Sequence, residues 1–204
     1  MKQFIIVLRD YPKSEQFYLD ALNSAQQHGW GLERYDAVDA RIVNLEQEFR
    51  QRNLFISADA RRHVPVILHP GAQGCFLSHY NLWKMCIELN ETIAIFEEDV
   101  MFTGSLPTED FVDVLKLRKG KFLKDIIRTT GNWWFGTDSY LIKPHAARKI
   151  IDWVHKFGVL PADHLLGENV VNIKHLLQDV CVLNPGAELR ENSLTWKKNK
   201  DLLS

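Results

Sequence analysis

The sequence is short of the features that would assign it quickly. The apolar run near its start, Phe4 to Leu8, covers five residues before Arg9 and Asp10. That is too short for the apolar region of a signal peptide and far too short to span a bilayer, so the chain reads as cytoplasmic. Cysteine is scarce: Cys75, Cys86 and Cys181 are odd in number, widely spaced and without a C-x-x-C pair. A disulfide framework and a zinc knuckle are both excluded, leaving reduced, mostly buried thiols. Charge of one sign is also missing, with 25 Lys and Arg against 26 Asp and Glu. No basic field recruits nucleic acid, and no nucleic-acid partner is expected. The sequence contains no G-x-G-x-x-G, no G-x-x-x-x-G-K-[ST] and no G-x-S-x-G, which removes the usual dinucleotide, P-loop and hydrolase readings. Its eight histidines include no H-E-x-x-H pair, so a self-contained zinc site is not expected either.

What is present is a chain of 204 residues, 46% hydrophobic and 25% charged, long enough to bury a core as one domain over 1–204. Gln3 to Leu8 reads as a strand buried on both faces. Pro12 and Ser14 open a helix that Gly29 closes, with Tyr18, Ala21, Leu22 and Ala25 on its inner face, and "LERYDAVDAR" follows as a second strand. This β-α-β unit implies parallel pairing. Asn44 and Gln47 form a capping pair before a short charged helix. Residues 57–70 read as irregular with a short strand at 64–68, and Gly71 and Gly74 then lead into a helix carrying Phe76, Tyr80, Trp83 and Ile87, with Asn90 as its stop. Further strands are expected at 92–96, 112–117, within 133–142 and at 180–183. Helices are expected from Pro144 to Gly158 and around 161–166. Alternating strands and helices predict an α/β fold whose mostly parallel central sheet is flanked by helices and places ligands at the carboxyl ends of its strands.

One stretch, "TIAIFEEDVMF", sets the chemical question. Glu97, Glu98 and Asp99 follow directly on a buried strand, and like charges there cost free energy unless water, a basic side chain, a helix N-terminus or a metal ion answers them. Strand alternation would put Glu97 and Asp99 on one side and Glu98 on the other. An E-x-D pair on one side suits a hard divalent cation, Mn²⁺ or Mg²⁺, that also takes oxygens from a diphosphate. An acidic turn in solvent, or a carboxylate capping the next helix, explains the spacing equally well. In "GCFLSH", Ser78 and His79 stand near an expected helix start, where backbone N–H groups favour an anion, although such a pair can also be a solvated face. Trp133 and Trp134 read as core or rim aromatics, with a sugar-stacking surface as the sharper alternative.

The block from "IIVLRDYPKSEQ" to "DAVDAR", then "GAQGCFLSHYNLWK", "TIAIFEEDVMF", "VDVLKL", "GTDSYLIKPHAARKII", "PADHLLG" and "VCVLNPGAELRENSLT" resemble the ordered blocks of glycosyltransferase family 25. That family includes bacterial lipooligosaccharide galactosyltransferases and collagen-modifying enzymes. The resemblance implies a GT-A-type, Rossmann-like single domain and a UDP-sugar donor, usually UDP-galactose. It further implies a divalent metal, often Mn²⁺, on the diphosphate, and a saccharide or glycolipid acceptor of lipooligosaccharide or lipopolysaccharide. It places Glu97 and Asp99 as metal ligands, and Arg9, Asp39, Arg41, Ser78 and His79 with them as contacts to the donor. Asp163, in "PADHLLG", stands as the base that takes the acceptor proton, with Glu98 as the catalytic carboxylate inside the triplet, and His164 or His79 as further metal or phosphate contacts. An ordinary helix cap is the plainer role for Asp163.

The sequence also departs from the family pattern. Glu98 stands where the family usually has Asp, Val7-Leu8-Arg9-Asp10 replaces the common Asn-Leu-Asp-Arg, Ala40 replaces a glycine, and the stretch after Asp99 is short. These departures support a competing reading, a catalytically degraded member that binds a nucleotide sugar or a partner enzyme without turnover. A metal-dependent phosphohydrolase would explain the acidic strand end but not the other blocks. The tail "WKKNKDLLS", with Trp196, Lys197, Lys198 and Lys200, offers peripheral contact with the inner face of an anionic membrane, or a frayed terminus.

Overall fold

The computed structural model describes residues 1–119 and 136–187, together with the backbone of the two-residue strands Phe122–Leu123 and Trp133–Trp134. Strand β1 (Gln3–Val7) pairs in parallel with β2 (Glu33–Asp36) on one side and β3 (Ile93–Glu97) on the other. With β4 at Val100–Phe102, β5 at Val114–Lys116, β6 and β7 at the two-residue strands, β8 at Ser139–Ile142 and β9 at Ile173–His175, the main sheet has the order β2-β1-β3-β8-β5-β9. Only β8 runs against the others, antiparallel to both β3 and β5, whereas β5 and β9 are parallel. The sheet is therefore mostly parallel. The Trp133–Ile142 segment reaches it through β8 alone; the side chains of Trp133 and Trp134 lie outside the described residues.

Side-chain alternation sorts the strands into two cores, which is why their sequences read as continuous apolar runs. Phe4 and Ile6 of β1 and Ile93 and Ile95 of β3 face helix α4 (Pro70–Leu89) and helix α5 (Pro144–Phe157). Ile5 and Val7, with Ala94 and Phe96, face helix α1 (Pro12–Gln27), Trp30 and the small antiparallel pair that β4 makes with β10 (Cys181–Leu183). The helix boundaries follow their local chemistry. Pro12, Pro70 and Pro144 occupy first turns, where a missing N–H costs nothing. Gly29 ends α1 with φ at +76°, and Asn90 ends α4 in the left-handed region at φ +52°. Asn44 caps helix α2 (Leu45–Gln51), its side chain accepting from the Gln47 N–H at 3.1 Å.

Residues 57–70 differ from expectation. In place of a strand they form helix α3 (Ala58–His63) and a 3₁₀ turn at Pro65–Leu68. Ser57 supplies the reason, because its hydroxyl accepts the Ala60 N–H at 3.0 Å and starts a helix. Strands β4 and β9, three residues each, had too little periodicity to be seen beforehand. Helix α6 (Ala162–Leu165) is close to its expected place. The lysine-rich tail lies outside the described residues. Among the described residues, no helix is long and apolar enough to cross a membrane.

Candidate active site

The carboxyl ends of β1, β2 and β3 open into a cleft of about 370 Å³. Four structural units surround it. The chain beyond β2 contributes Val38, Asp39 and Arg41, α4 contributes Cys75, Ser78 and His79, and the end of β3 contributes Glu97, Glu98 and Asp99. Tyr11, Lys13 and Ser14 at the start of α1 complete the wall.

Strand β3 ends at Glu97, and Glu98 and Asp99 form the turn into β4, so simple alternation stops at Glu97. Each carboxylate then finds its own surroundings. Glu97 Oε1 accepts from Thr137 Oγ1 at 2.6 Å and lies 3.3 Å from His79 Nε2. Glu98 Oε1 accepts from Ser14 Oγ at 2.9 Å, and the same hydroxyl accepts from the Leu8 N–H at 2.9 Å. Asp99 Oδ1 is buried with no hydrogen-bond partner among the described residues. Burial pushes the Glu98 carboxyl up to about 7, with the charge of Glu97 adding to it. Burial, then Glu97, Glu98 and Asp138, raise Asp99 well above the ordinary carboxylate range.

No lysine or arginine among the described residues lies within ion-pair distance of Glu97, Glu98 or Asp99. Arg118, which feels the charge of Asp99, is committed to Asp138 through contacts of 2.6 and 3.1 Å. Buried Lys116 donates to the Gly136 carbonyl. Hydroxyls and one imidazole thus answer the triplet only in part. Glu97 and Asp99 on one cleft, with one Asp99 oxygen orphaned, are oxygen donors of the type that fits a hard divalent cation, while Glu98 is turned to Ser14.

The other expected residues are placed unevenly. Asp39 is buried and accepts from three nitrogens of Arg41, the backbone N–H at 2.9 Å, Nε at 2.9 Å and Nη2 at 2.7 Å. The guanidinium holds the Asp39 carboxyl below its usual range. Arg41 also stands over the Tyr11 ring, 5.2 Å from its centroid. Arg9 is absent from the cleft wall, because its exposed guanidinium pairs with Asp36 at the end of β2.

Ser78 and His79 are not at a helix start. Helix α4 begins at Pro70, so both lie in its third turn, beyond the free N–H groups. Ser78 Oγ accepts the Val38 N–H at 2.9 Å and donates to the Gly74 carbonyl at 2.8 Å, tying the β2 loop to α4. His79 is fully buried between Tyr140 Oη, 2.9 Å from Nδ1, and Glu97.

Asp163 lies outside the cleft lining, on the second residue of α6 with Pro161 as cap, and its Oδ1 accepts from the His164 N–H at 3.1 Å. Burial raises its carboxyl to about 6, against the pull of Lys116 and with the push of Glu97. Its position in α6 rules out the cap role, since Pro161 fills it. His164 is buried, and burial lowers it to about 4.

Residues that sequence reasoning passed over are Ser14, Cys75 and Thr137. Ser14 and Thr137 carried no local signal, because their partners lie 84 and 40 residues away. Cys75 did carry one, the four-residue step to His79 inside "CFLSH".

An open, mostly parallel sheet with a carboxylate-lined cleft at its strand ends defines an α/β protein whose ligand crevice lies at that edge. Residues 1–115 match the model of glycosyltransferase family 25, described as LPS biosynthesis protein, and the chain belongs to that family. Two Haemophilus influenzae proteins are similar along much of it. The lipooligosaccharide biosynthesis protein lex-1 is 28% identical over 65% of this chain and 53% of its own length. Lipooligosaccharide biosynthesis protein lic2B is 27% identical over 78% of this chain and 75% of its own. The chain therefore spans about half the length of the first of these relatives. A Xenopus laevis procollagen galactosyltransferase 1-A is 28% identical over 53% of the chain and 21% of its own length. Among solved structures, a Drosophila β-1,4-galactosyltransferase 7 in complex with manganese, UDP-galactose and xylobiose superposes with a TM-score of 0.46 at 8% identity, over 99% of this chain and 79% of that one.

Proposed function

We propose that this chain is a hexosyltransferase. It moves galactose from a UDP-sugar to a saccharide acceptor of lipooligosaccharide or lipopolysaccharide by an inverting displacement assisted by a divalent cation, Mn²⁺ or Mg²⁺. The observation that carries the reading is the half-buried Glu97-Glu98-Asp99 cluster at the edge of the cleft, with no lysine or arginine of the described residues in ion-pair distance and with Asp99 Oδ1 unpartnered. Family membership supplies the reaction class, and the names of the H. influenzae and Xenopus relatives supply the acceptor and sugar.

In this reading Asp39 and Arg41 form the wall against the nucleoside diphosphate, their mutual pairing fixing both side chains before the donor arrives. Glu97 and Asp99 would hold the cation, whose positive charge would offset the charge that grows on the leaving diphosphate. Thr137 fixes the Glu97 carboxylate from behind, and Ser14 fixes Glu98. Glu98 carries one more methylene than the family's usual Asp, and the Ser14 hydroxyl meets it there. Asp163 lies behind the cleft lining but close enough to feel the charge of Glu97, and its carboxyl, raised to about 6, is assigned the acceptor proton on that proximity.

The test is a turnover assay with UDP-galactose and Mn²⁺, with and without a lactose-like or heptose-containing acceptor. The proposal expects acceptor-dependent UDP release that disappears in Asp99→Ala and declines as the pH falls below about 6. Donor binding without turnover would instead identify a degraded member, and release of inorganic phosphate a hydrolase.

A further inference from the structure

We infer that Cys75 Sγ, His79 Nε2 and a Glu97 carboxylate oxygen form a binding site for a borderline-soft divalent cation of the zinc type, with its fourth position open to the cleft. Cys75 and His79 lie four residues apart on α4, so one turn of helix stacks them on the same face. The end of β3 brings Glu97 against that face. The three ligand atoms lie within 4.8 Å of one another, and all three residues line the cleft.

A tetrahedral zinc ion with bonds of about 2.3 Å to sulfur and about 2.0 Å to nitrogen and oxygen needs ligand separations of roughly 3.5 Å. Side-chain rotations closing about an ångström complete that geometry. The resulting set of three protein ligands and one open position is the pattern of zinc sites that accept an outside ligand.

The residues behind His79 support the same assignment. Tyr140 Oη accepts the Trp83 Nε1–H at 2.9 Å and lies 2.9 Å from His79 Nδ1. With the imidazole proton on Nδ1, His79 donates to the remaining lone pair of Tyr140 Oη and turns the lone pair of Nε2 toward Cys75 and Glu97. A ligating histidine is commonly oriented through its other nitrogen in this way. Trp83, Tyr140 and His79 are all essentially excluded from solvent, so the arrangement is rigid.

Independently, Asp99 Oδ1 is buried and unpartnered at the same cleft, and the charges of Glu97, Asp163, Glu98 and Asp99 all reach the Cys75 thiol. The site thus sits in a strongly negative field. On binding, Cys75 gives up its proton to solvent and coordinates as thiolate.

Sulfur separates this site chemically from the all-oxygen triplet. Oxygen donors suit Mn²⁺ or Mg²⁺, whereas a thiolate selects zinc. Because Glu97 belongs to both sets, the two cations compete for it, and zinc is expected to inhibit any Mn²⁺-dependent activity. The assignment stands on the Cys75-His79-Glu97 geometry and survives failure of the transferase reading.

X-ray absorption on the full chain loaded with one equivalent of Zn²⁺ tests it without reference to activity. The expected result is a sulfur scatterer at about 2.3 Å from zinc. That shell should vanish in Cys75→Ser and persist in Asp99→Ala. A thiolate-to-metal charge-transfer band with Co²⁺ provides the same reading on the unmodified protein. A zinc shell of nitrogen and oxygen alone, retention of sulfur in Cys75→Ser, or failure of the native chain to hold zinc through gel filtration would each overturn the assignment.

Discussion

At the scale of single residues, Asp99 carries the greatest unbalanced cost. A buried carboxylate whose Oδ1 lacks a partner lowers the stability of the cation-free protein, because its water is lost and nothing replaces it. Asp99→Asn should therefore raise the stability of the cation-free chain by ~1 kcal/mol or more in urea unfolding. It should also abolish the stabilisation that Mn²⁺ gives the native protein. Asp113 presents the opposite case. It is fully buried, but accepts from His145 Nε2 and Lys149 Nζ, each at 2.7 Å, and from the Asn172 N–H at 2.8 Å.

Burial pushes the Asp113 carboxyl up, yet those donors more than offset it and hold it below the usual aspartate range. A folded value below the unfolded one means that the native state binds fewer protons. Its contribution is complete above about pH 4 and is lost as the pH falls through the folded value. Asp113→Asn should cost ~1–3 kcal/mol at neutral pH. The same change should flatten the acid limb of a melting-temperature profile below about pH 4. Neither environment could be read from the sequence. Asp99 was legible as one carboxylate of a triplet, but its missing partner is a fact of packing. Asp113 was hidden inside "VDVLKL", which reads only as a strand over 112–117.

At the scale of elements, α4 organises the site. Its inner stripe was legible because Phe76, Tyr80 and Trp83 recur at helical spacing and carry their own signal. What that spacing could not show is the approach of the β2 loop. A Cβ on Gly74 would stand 2.6 Å from the Val38 carbonyl oxygen, closer than packed atoms allow. Glycine is therefore required where α4 meets the loop that carries Asp39 and Arg41, and Ser78 bonds that loop one turn later. Gly74→Ala should displace the loop, costing ~1–3 kcal/mol in stability. In kinetics it should raise KM for the donor more than it lowers kcat, since the loop binds rather than reacts. An unchanged KM would show that the loop does not contact the donor.

The same element shows why "GCFLSH" was read as a helix start when it lies within the helix. Gly71 and Gly74 mimic a loop, whereas Pro70 at the first turn and His69 Nδ1, accepting the Gly71 N–H at 3.1 Å, start the helix before them. Arg9 failed for a related reason. Strand pairing put Asp36 beside it, and an ion pair across two strands has no sequence signature.

At the scale of the whole molecule, alternation of strands and helices gave the α/β class and the position of the cleft. Strands β1 and β3 were strong signals because burial on both faces makes them apolar throughout, whereas β2, a mostly exposed edge strand, was legible only through the β-α-β order. The antiparallel sense of β8 was not legible, since direction depends on how the preceding chain returns to the sheet rather than on the composition of "SYLI". Likewise β4 and β10 pair across nearly eighty residues of sequence and close the second core against α1, a long-range contact that no local pattern announces.

Across these scales one claim recurs, that the charges of Glu97, Glu98 and Asp99 are answered by a divalent cation shared with the diphosphate of the donor. Calorimetric titration of UDP into the native chain, with and without Mn²⁺, tests it most directly. The account predicts that removing Mn²⁺ weakens UDP binding at least tenfold, a loss of about 1.4 kcal/mol, because three carboxylates then face a diphosphate unshielded. Equal UDP affinity in the two titrations would contradict it.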